Sequence, residues 1–517
     1  PFDAGSGGFA TGNGGNNSYF KTMGFSDTVG GLSDFTASGV IENLEGEGGT
    51  ANSTLTLNTA AGSVNYYNGF LRDRANNTGS GVMNLVVSGN GTQVLALGNI
   101  SYSGSTTINN GATLVLESAT AFGNGVGSAA AAQIGSRSIT NAGTLEFRIS
   151  NGGAWTFSRA FLGSGAVTRT GNGTLSLNTA NIVGGGFTIR EGRNVVTSSV
   201  TNFNAATSVA SGFNIQSIQN LVSVNWNAAV QVLSGGLTIR GTGDNVTNGA
   251  SLGVTSGSIV AGAINLVRAN MIVFGANGRL TGATELNLSG LADTGGGNVS
   301  NDFELQNTLT SNHGDRLPDG MSLNMDGGRF LFGNFGAADT VTHYTESIGS
   351  LRLVGGSNLV YSFISGAASG STATLNLTTL ASRHAGATLL FNDTSGTNNI
   401  RFTTTTPTLT NGIIGGWATK FFVDGNGVTQ REWATMSGNQ VASLSSYETG
   451  GEGAWGLNDN VKVSGASHTL SADRTIHSLN IQDTTGRTIT INPVTNGSMR
   501  TLVINSGGIL STRSVHT

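Results

Sequence analysis

The chain repeats parts of its own sequence at spacings of tens of residues. Residues 89–111 and 171–192 are two copies of one pattern, in which Gly-Asn-Gly-Thr leads through Asn-Ile and Gly-x-x-Thr-Ile to a further glycine. The pattern Ile-x-Ser-Leu-x-(Leu/Ile) occurs at residues 348–353 and again at 476–481. Repetition of this kind indicates a stack of similar units, because no single unit buries its apolar face alone.

The repeated units are short strands. Residues 54–58, 174–178, 285–288 and 374–377 alternate apolar with small polar residues, which is typical of a strand with one buried face. Gly or Asn interrupts nearly every window of a dozen residues, so helices longer than about two or three turns are not expected. Most apolar stretches end in Gly, Asn, Ser or Asp, residues that tolerate tight bends. We therefore predict an all-β chain.

Repetition and short strands together predict a right-handed parallel β-helix, in which each strand pairs with its equivalents above and below. Stacking places like residues over like, so charged side chains are penalised, whereas Asn, Ser and Thr can hydrogen-bond to their own copies. The composition agrees, because only 10% of the residues are charged, against roughly 25% in an average globular protein. At ~20–25 residues and ~4.8 Å per coil, the 517 residues would form a rod of roughly 100–120 Å.

Charge and cysteine content exclude several classes of protein. The net charge is -4 and the lysines are only Lys21, Lys420 and Lys462, so the basic stripe of a nucleic-acid-binding protein is missing. The chain has no cysteine, which excludes a disulfide framework and is compatible with export through an oxidising compartment.

No stretch approaches the ~18 uninterrupted apolar residues of a membrane-spanning helix. The chain begins at Pro1 in a Gly-rich run, and we expect a processed or excised piece of a longer protein.

We divide the chain into four segments. Residues 1–45 are a Gly-rich lead-in, expected to be β, and residues 46–402 are a β-helix that carries the repeats. Residues 403–455 form an irregular β segment or insertion, which contains Trp417, Trp433 and Trp455. Residues 456–517 are expected to form a more regular β-helix that continues into sequence beyond the chain. The three tryptophans are expected either to pack in a core or to form an aromatic platform for carbohydrate.

The regularity of the last segment comes from arginines at every thirteenth position: Arg474, Arg487, Arg500 and Arg513. If two such spacings made one coil of about 26 residues, Arg474 would lie over Arg500 and Arg487 over Arg513, about 4.8 Å apart. Stacked arginines would repel each other unless they faced water or counter-charges such as Asp473 and Asp483. The alternative is that each arginine simply marks the solvent-facing corner of a strand.

Residues 98–116 resemble the autotransporter-associated β-strand repeat, through Tyr102, Gly104, Thr106, Ile108 and Gly111. Residues 143–145 and 171–189 are similar to partial copies, and the second copy departs from the pattern because it lacks the tyrosine. Residues 412–433 and 476–510 are similar to regions of giant repeat-rich surface proteins of Gram-negative and planctomycete-like bacteria. The resemblance implies an exported, extracellular passenger with a β-helical rod, used in adhesion, surface layers or fibres.

An enzyme is the main alternative class, because some glycosidases and lyases are β-helices. Asp302 and Glu304 could project from one side of a strand, and a glycosidase needs two carboxylates about 5–10 Å apart. A solvated strand face explains the same pair. Residues 249–253 match the nucleophile-elbow pattern and residues 451–456 the dinucleotide fingerprint, but the strand-to-helix contexts that these motifs require are lacking.

Metal ligands are not expected either. The histidines, His313, His343, His384, His468, His477 and His516, show no metal-ligand spacing, and without cysteine a zinc site is not predicted. Asp424 begins a sequence that looks like a calcium loop, but Val428 replaces an oxygen ligand and Thr435 the final glutamate, so a plain turn is favoured. We predict no catalytic, metal or cofactor-binding residues and no cofactor.

Three functions stay open from the sequence. The first is a structural segment of a secreted bacterial cell-surface protein that assembles with other copies of itself into a fibre or surface layer. The second is an autotransporter-like adhesin passenger that binds glycans or host surfaces. The third is a polysaccharide-degrading β-helix enzyme.

Overall fold

The structure is a computed structural model that describes most of the chain. The described residues are 18–34, 39–43, 49–74, 79–96, 100–117, 138–149, 153–171, 173–190, 199–217, 222–241, 250–290, 302–308, 311–334, 336, 340–365, 368–393, 398–423, 429–482, 487–492 and 499–512. Strands make up their regular structure, apart from a short 3₁₀ turn at Glu452–Ala454, and the described residues contain no α-helix. The prediction of an all-β chain is confirmed.

The chain divides into two compact units. Unit 1 comprises residues 1–271 and 278–283, and unit 2 comprises residues 272–277 and 284–517. The strands β28 (Ala269–Val273) and β29 (Arg279–Ser289) contain residues of both units.

Unit 1 is built from many strands, most of which are short. They are β1 (Ser18–Lys21), β2 (Asp27–Val29), β3 (Gly39–Glu42), β4 (Ser53–Thr59), β5 (Val64–Tyr67), β6 (Phe70–Arg72), β7 (Met83–Gly89), β8 (Thr92–Ala96), β9 (Ile100–Ser101), β10 (Thr106–Ile108), β11 (Thr113–Glu117), β12 (Ile139–Asn141), β13 (Thr144–Ile149), β14 (Ala154–Phe157), β15 (Phe161–Gly163), β16 (Ala166–Gly171), β17 (Thr174–Leu177), β18 (Asn181–Val183), β19 (Phe187–Arg190), β20 (Ser199–Phe203), β21 (Thr207–Val209), β22 (Phe213–Gln216), β23 (Val222–Trp226), β24 (Val230–Val232), β25 (Leu237–Arg240), β26 (Ala250–Val254) and β27 (Gly257–Val267).

Strands of unit 1 pair in parallel with strands one repeat further along the chain. Ala154 of β14 lies opposite Thr174 of β17, a separation at the lower end of the predicted range of about 20–25 residues per repeat. Thr106 of β10 lies opposite Ile139 of β12, a separation well above that range. The observed range is wider because the loops between the strands differ in length while the strands keep their register.

The core of unit 1 comes from the inward-facing residues of the alternating strands. It contains a run of fully or nearly fully buried aromatic side chains: Phe147, Phe157, Phe161, Phe187, Phe203, Phe213 and Trp226. The rings of Phe187 and Phe213 stack with centroids 5.3 Å apart, and Trp226 meets Phe213 edge-on at 5.3 Å. Such ring pairs contribute about 0.5–1.5 kcal/mol each beyond the burial of their area.

Outside the core, asparagines on these strands and directly after them form hydrogen-bonded ladders. The Asn204 side-chain amide donates to Asn178 Oδ1 and the Asn227 amide donates to Asn204 Oδ1, both at 2.8 Å. A second ladder joins Asn225 to Asn202, also at 2.8 Å. The prediction that stacked asparagines bond to their own copies is confirmed for these positions.

The motif that carries the family resemblance alternates between the interior and the surface. Tyr102, Gly104, Thr106 and Ile108 are buried, whereas the residues between them are partly exposed. The Tyr102 hydroxyl lies 2.5 Å from Thr106 Oγ1, so both inward polar groups are satisfied. A Cβ atom at Gly104 would lie 2.0 Å from the Met83 carbonyl oxygen. The glycine is required because the backbone of the preceding repeat passes this close.

Unit 2 continues with longer strands and then with short ones. They are β30 (Asp302–Asn307), β31 (Ser322–Asn334), β32 (His343–Ile348), β33 (Leu351–Ile364), β34 (Thr372–Arg383), β35 (Thr388–Asn392), β36 (Asn399–Thr405), β37 (Ala418–Val423), β38 (Thr429–Ser437), β39 (Gln440–Ser443), β40 (Asn460–Val463), β41 (His468–Thr469), β42 (Arg474–Ile476), β43 (Ser478–Gln482), β44 (Ile489–Thr490), β45 (Leu502–Ile504) and β46 (Ile509–Thr512).

Unit 2 contains a region of antiparallel strand pairing between two regions of parallel pairing. The registers from β30 to β35 are parallel, and β35 also pairs in parallel with β37. The strands β37, β38 and β39 then pair antiparallel, and we call them the antiparallel meander. Beyond it, parallel pairing resumes in three small sheets, β40-β43-β46, β41-β44 and β42-β45. The meander lies within residues 403–455, the segment that the sequence set apart; the four segment boundaries themselves stay predictions.

The predicted stacking of Arg474 over Arg500 is wrong. Arg474 lies opposite Leu502, and its guanidinium bonds to Glu452 at 2.6 Å instead of facing Asp473. Separations along the chain vary in these last sheets, since β43 follows closely on its partner β40 whereas β46 comes much later than its partner β43. The regular arginine spacing does not set the register because the loops between the strands differ in length. Asp483 and Arg513 lie outside the described residues.

Candidate functional site

Unit 2 contains a cleft of about 260 Å³ beside the antiparallel meander. Its walls come from β33, β35, β37, β38 and β46 together with the segment before β37. We call it the Trp417 groove and define it by six of its lining residues: Ser357, Thr388, Trp417, Thr419, Arg431 and Trp433.

The antiparallel register brings the meander residues onto one face of the groove. Thr419 lies opposite Trp433, and Phe421 lies opposite Arg431. Side chains two residues apart on a strand point the same way, so these four share a face. The Arg431 guanidinium lies over the Phe421 ring, 4.8 Å from its centroid.

A buried ion pair fixes β37 to the parallel sheet. Lys420 Nζ bonds to the carboxylate of Asp393, which follows β35, and both side chains are buried. Lys420 lies opposite Glu432 across the meander, but the Glu432 carboxylate bonds to Lys462 of β40 at 2.6 Å and to the Asn480 amide of β43 at 2.7 Å. These bonds attach both the preceding and the following sheets to the meander.

The structure separates the three tryptophans that the sequence grouped as a carbohydrate platform. Trp417 is half-buried in the groove, and Trp433 is buried behind it, in a cluster with Ile413, Leu444 and Leu510. Trp455 lies in a different core and donates its indole N–H to the Gly450 carbonyl at 3.1 Å. Trp433 and Trp455 therefore pack in cores, and only Trp417 offers part of its ring to the groove.

Two guanidinium groups give the neighbourhood of Trp417 a positive character. Arg383 lies over the Trp417 ring, 4.8 Å from its centroid, and donates from Nε to the Ala387 carbonyl at 3.0 Å. Burial lowers the pKa of Arg383 and that of Arg431, and in neither case does a nearby acid oppose it. Within the described residues, neither guanidinium forms an ion pair with a carboxylate.

The carboxylates proposed as a glycosidase pair have structural partners. Asp302 forms a two-pronged ion pair with Arg329, the residue opposite it on β31. Glu304 accepts a hydrogen bond from the Gln306 amide at 2.8 Å. Burial raises the pKa of Glu304, and the neighbouring Asp302 adds to this effect. The Asp302 interaction holds β30 to β31, which is a structural role.

A buried acid that the sequence analysis missed is Glu346 of β32. Its carboxylate accepts the backbone N–H groups of Arg316 and Leu317, each at 3.1 Å. Burial raises the pKa of Glu346 to about 8, against the hydrogen bonds and Arg316, which lower it. The sequence does contain a signal, because Glu346 occupies an inward position between Tyr344 and Ile348 in the alternating pattern.

The remaining sequence motifs do not form sites in the part of the chain that the structure describes. No group of three or more His, Asp or Glu side chains there could hold a metal ion. The calcium-loop-like residues 424–428, Gly249 of the nucleophile-elbow pattern and His516 lie outside the described residues. Residues 451–456 contain the 3₁₀ turn and lead to the buried Trp455, without the strand–turn–helix context of a dinucleotide site. Across the described residues, no helix has the length and apolar character needed to cross a membrane.

Comparison of the chain with protein-family models, curated proteins and solved structures gives no match. The fold by itself defines an all-β protein with extensive parallel strand pairing. The resemblance to the autotransporter-associated repeat therefore rests on the motif residues alone.

Proposed function

We propose that this chain is a structural segment of an exported bacterial surface protein. It would be a right-handed parallel β-helix that associates with other copies of itself in a fibre or surface layer. The observation that carries the proposal is the in-register parallel pairing of unit 1, where Phe203 lies opposite Trp226 and Asn202 opposite Asn225. In such ladders the side chains of each repeat serve mainly to pack against the neighbouring repeats.

The use of the buried charges supports a structural function. Glu42 is 1% exposed and bonds to Arg72 at 3.0 Å, and Glu117 bonds to Arg148 at 2.9 Å. Arg72 is on the strand next to Glu42, and Arg148 is on the strand next to Glu117. These carboxylates connect adjacent strands, as Asp302 does, and so are engaged in cohesion.

Exposed apolar side chains support self-association. Tyr19, Met23 and Phe25 lie close together in the sequence and are 51%, 43% and 74% exposed. A net charge of only -4 on 517 residues opposes association weakly. Copies of the chain can therefore gain free energy by covering these side chains.

Electron microscopy of the purified chain tests both parts of the proposal. A β-helix predicts elongated particles, and self-association predicts filaments or layers that grow with protein concentration. Replacement of Phe25 and Met23 by serine should raise the concentration needed for assembly, measured by sedimentation velocity. The matched control is serine at Ile182, which is 57% exposed elsewhere in unit 1.

Compact particles would contradict the β-helix. Particles that stay monomeric at high concentration would contradict self-association but leave the β-helix intact. In the source cells, antibody labelling without permeabilisation should detect the protein at the surface, and labelling only after permeabilisation would contradict export.

A further inference from the structure

The Trp417 groove combines three features that the scaffold function does not use. Part of the Trp417 indole is exposed, and the hydroxyl-bearing side chains of Ser357, Thr388 and Thr419 line the same cleft. Arg431 also lines it, packed on Phe421 and without a carboxylate partner among the described residues. Elsewhere in unit 2, Arg329, Lys420 and Lys462 are each paired with a carboxylate, and the buried Arg316 guanidinium donates to Asn307 Oδ1 and to backbone carbonyls.

A guanidinium that has lost part of its water without gaining a carboxylate is a good partner for an external anion. Its planar fork binds a carboxylate through two parallel hydrogen bonds, and such charge-assisted bonds are stronger than neutral ones. Arg383, over the Trp417 ring, adds a second positive charge beside the cleft. The groove therefore favours a ligand with one localised negative charge.

The rest of the groove fits a polyhydroxylated ring. The part of the Trp417 indole that lines the cleft beside Arg383 offers an apolar surface with a polar edge, and hydroxyl side chains both donate and accept hydrogen bonds. The volume of about 260 Å³ is slightly below the ~300–1,000 Å³ of sites for drug-sized ligands. One sugar ring is a ligand of the matching size class.

We propose that the Trp417 groove binds an acidic saccharide, with the ring of one sugar unit against Trp417 and its carboxylate on Arg431. The ligand class is a glycan that contains hexuronic acid or another carboxylated sugar. A neutral glycan is expected to bind more weakly, because it leaves the Arg431 guanidinium without an anionic partner. A nucleic acid fits less well, because its closely spaced phosphates need a broad basic surface and the chain has a net charge of -4.

Isothermal titration of the full chain with tetragalacturonate tests this proposal, with a neutral galactose tetrasaccharide as the matched ligand. The acidic ligand should bind saturably and at least about tenfold more tightly than the neutral one. The reason is that a charge-assisted hydrogen-bonded pair contributes more free energy than a tenfold change in affinity requires. Binding should weaken as sodium chloride is raised, since an exposed charge pair is screened. Equal affinity for both ligands, or no saturable binding of tetragalacturonate, would overturn the proposal.

Substitutions locate the site. Arg431→Gln should reduce the affinity at least about tenfold, and Arg431→Lys should reduce it less, because the charge is kept without the fork. Arg240→Gln is the matched control, since Arg240 is an exposed arginine on β25 of unit 1. Unchanged binding in Arg431→Gln, or an equal loss in Arg240→Gln, would exclude the groove as the site.

Trp417 is tested by two variants, because removal of its ring could disturb folding. Trp417→Phe keeps an aromatic surface and should bind more weakly than the native chain, while Trp417→Ala should bind more weakly still. Circular dichroism and the melting temperature report whether each variant is folded. A folded Trp417→Ala variant with native affinity would contradict the role of the indole. Assembly in the electron microscope should be unchanged in Arg431→Gln, which separates this site from the scaffold function.

Discussion

The parallel ladder of unit 1 and the antiparallel meander of unit 2 use charge differently. From β20 to β26, Phe203 lies opposite Trp226, which lies opposite Val254, and the described residues of this stretch contain one charged side chain, Arg240. In the short antiparallel meander, by contrast, two oppositely charged residues lie opposite each other, Lys420 of β37 and Glu432 of β38. Both regions have well-packed interiors, but their sequences differ in kind.

The reason for the difference lies in strand geometry. Parallel in-register pairing places equivalent positions of successive repeats about 4.8 Å apart, so a charge that recurs in each repeat would meet its own kind. Antiparallel pairing brings together positions with unrelated sequence, so this restriction does not apply there. A parallel pair also accommodates charge where the two stacked positions carry opposite signs, as Glu42 and Arg72 do. Low charge is thus a consequence of stacking like positions, and charges occur where their neighbours on adjacent strands are of opposite sign. Four predictions test this comparison.

The largest effect is expected in the aromatic core of the ladder. Phe213→Ala should lower the free energy of unfolding by about 3–5 kcal/mol, because Phe213 is fully buried against Phe187, Phe203 and Trp226. Denaturant titration followed by circular dichroism measures the change. Ile182→Ala, at a position that is 57% exposed, should change the value by less than about 0.5 kcal/mol. Similar losses in the two variants would show that this core does not stabilise the ladder.

The buried ion pair that joins the meander to the parallel sheet is expected to matter nearly as much. Lys420→Met should cost about 3–5 kcal/mol, because Asp393 keeps its buried charge without a partner. The double variant Lys420→Met with Asp393→Leu should recover most of this loss. Lys21→Met is the control, since Lys21 is 39% exposed and Glu42 keeps Arg72. A double variant as unstable as the single one would argue against charge pairing as the cause.

Glu346 is an acid at an inward position of a parallel ladder, opposite Leu375, and should carry a proton there. Its pKa in the folded protein is raised to about 8, whereas an unfolded glutamate titrates near 4.3. The folded state therefore holds the proton more tightly, so its contribution to stability is present at low pH and is lost as the pH rises towards 8.

Melting temperatures between pH 4 and pH 9 test whether Glu346 carries a proton in the folded protein. The native chain should lose stability over the range by roughly one to a few kcal/mol relative to Glu346→Gln, which cannot ionise. Parallel pH profiles of the two proteins would mean that Glu346 is already ionised in the fold.

The smallest effect is expected on the outward face of the ladder. Asn225→Asp should cost about 1 kcal/mol, because the amide that donates to Asn202 Oδ1 is replaced by a carboxylate. The cost should grow above the ordinary pKa of aspartate, and the additional change Asn202→Asp should increase it further, since like charges then stack. Asn214 is exposed, so Asn214→Asp should hardly change the free energy of unfolding measured by denaturant titration. Equal effects at Asn214 and Asn225 would show that the ladder bond contributes nothing.

Part of the fold could be predicted because its cause is local. The alternation of Leu55 and Leu57 with threonines already indicates which side chains are buried, and the structure buries both leucines. The hydrogen-bonded asparagines follow from repeated strands in the same way. The candidate site was predictable only in outline: the segment around Trp417 differed in composition, but its pairing partners are distant in sequence.

Other features depended on contacts that no local pattern encodes. The regular arginine spacing predicted Arg474 over Arg500, but the loop lengths place it opposite Leu502. The burial of Trp433 depends on its cluster with Leu510, which lies far along the chain. Local sequence gives no sign that Trp433 is covered in this way while Trp417 stays partly exposed.

The sequence by itself determined the all-β class, the inward and outward faces of the strands and the small number of charges. Each of these follows from a period of two residues or from repetition, which are properties of neighbouring positions. Only the tertiary structure decided the registers, the partners of the buried charges and the convergence of Trp417 and Arg431 in one groove. These depend on loop lengths and on packing between segments far apart in the chain, where small differences in fit select one arrangement among many.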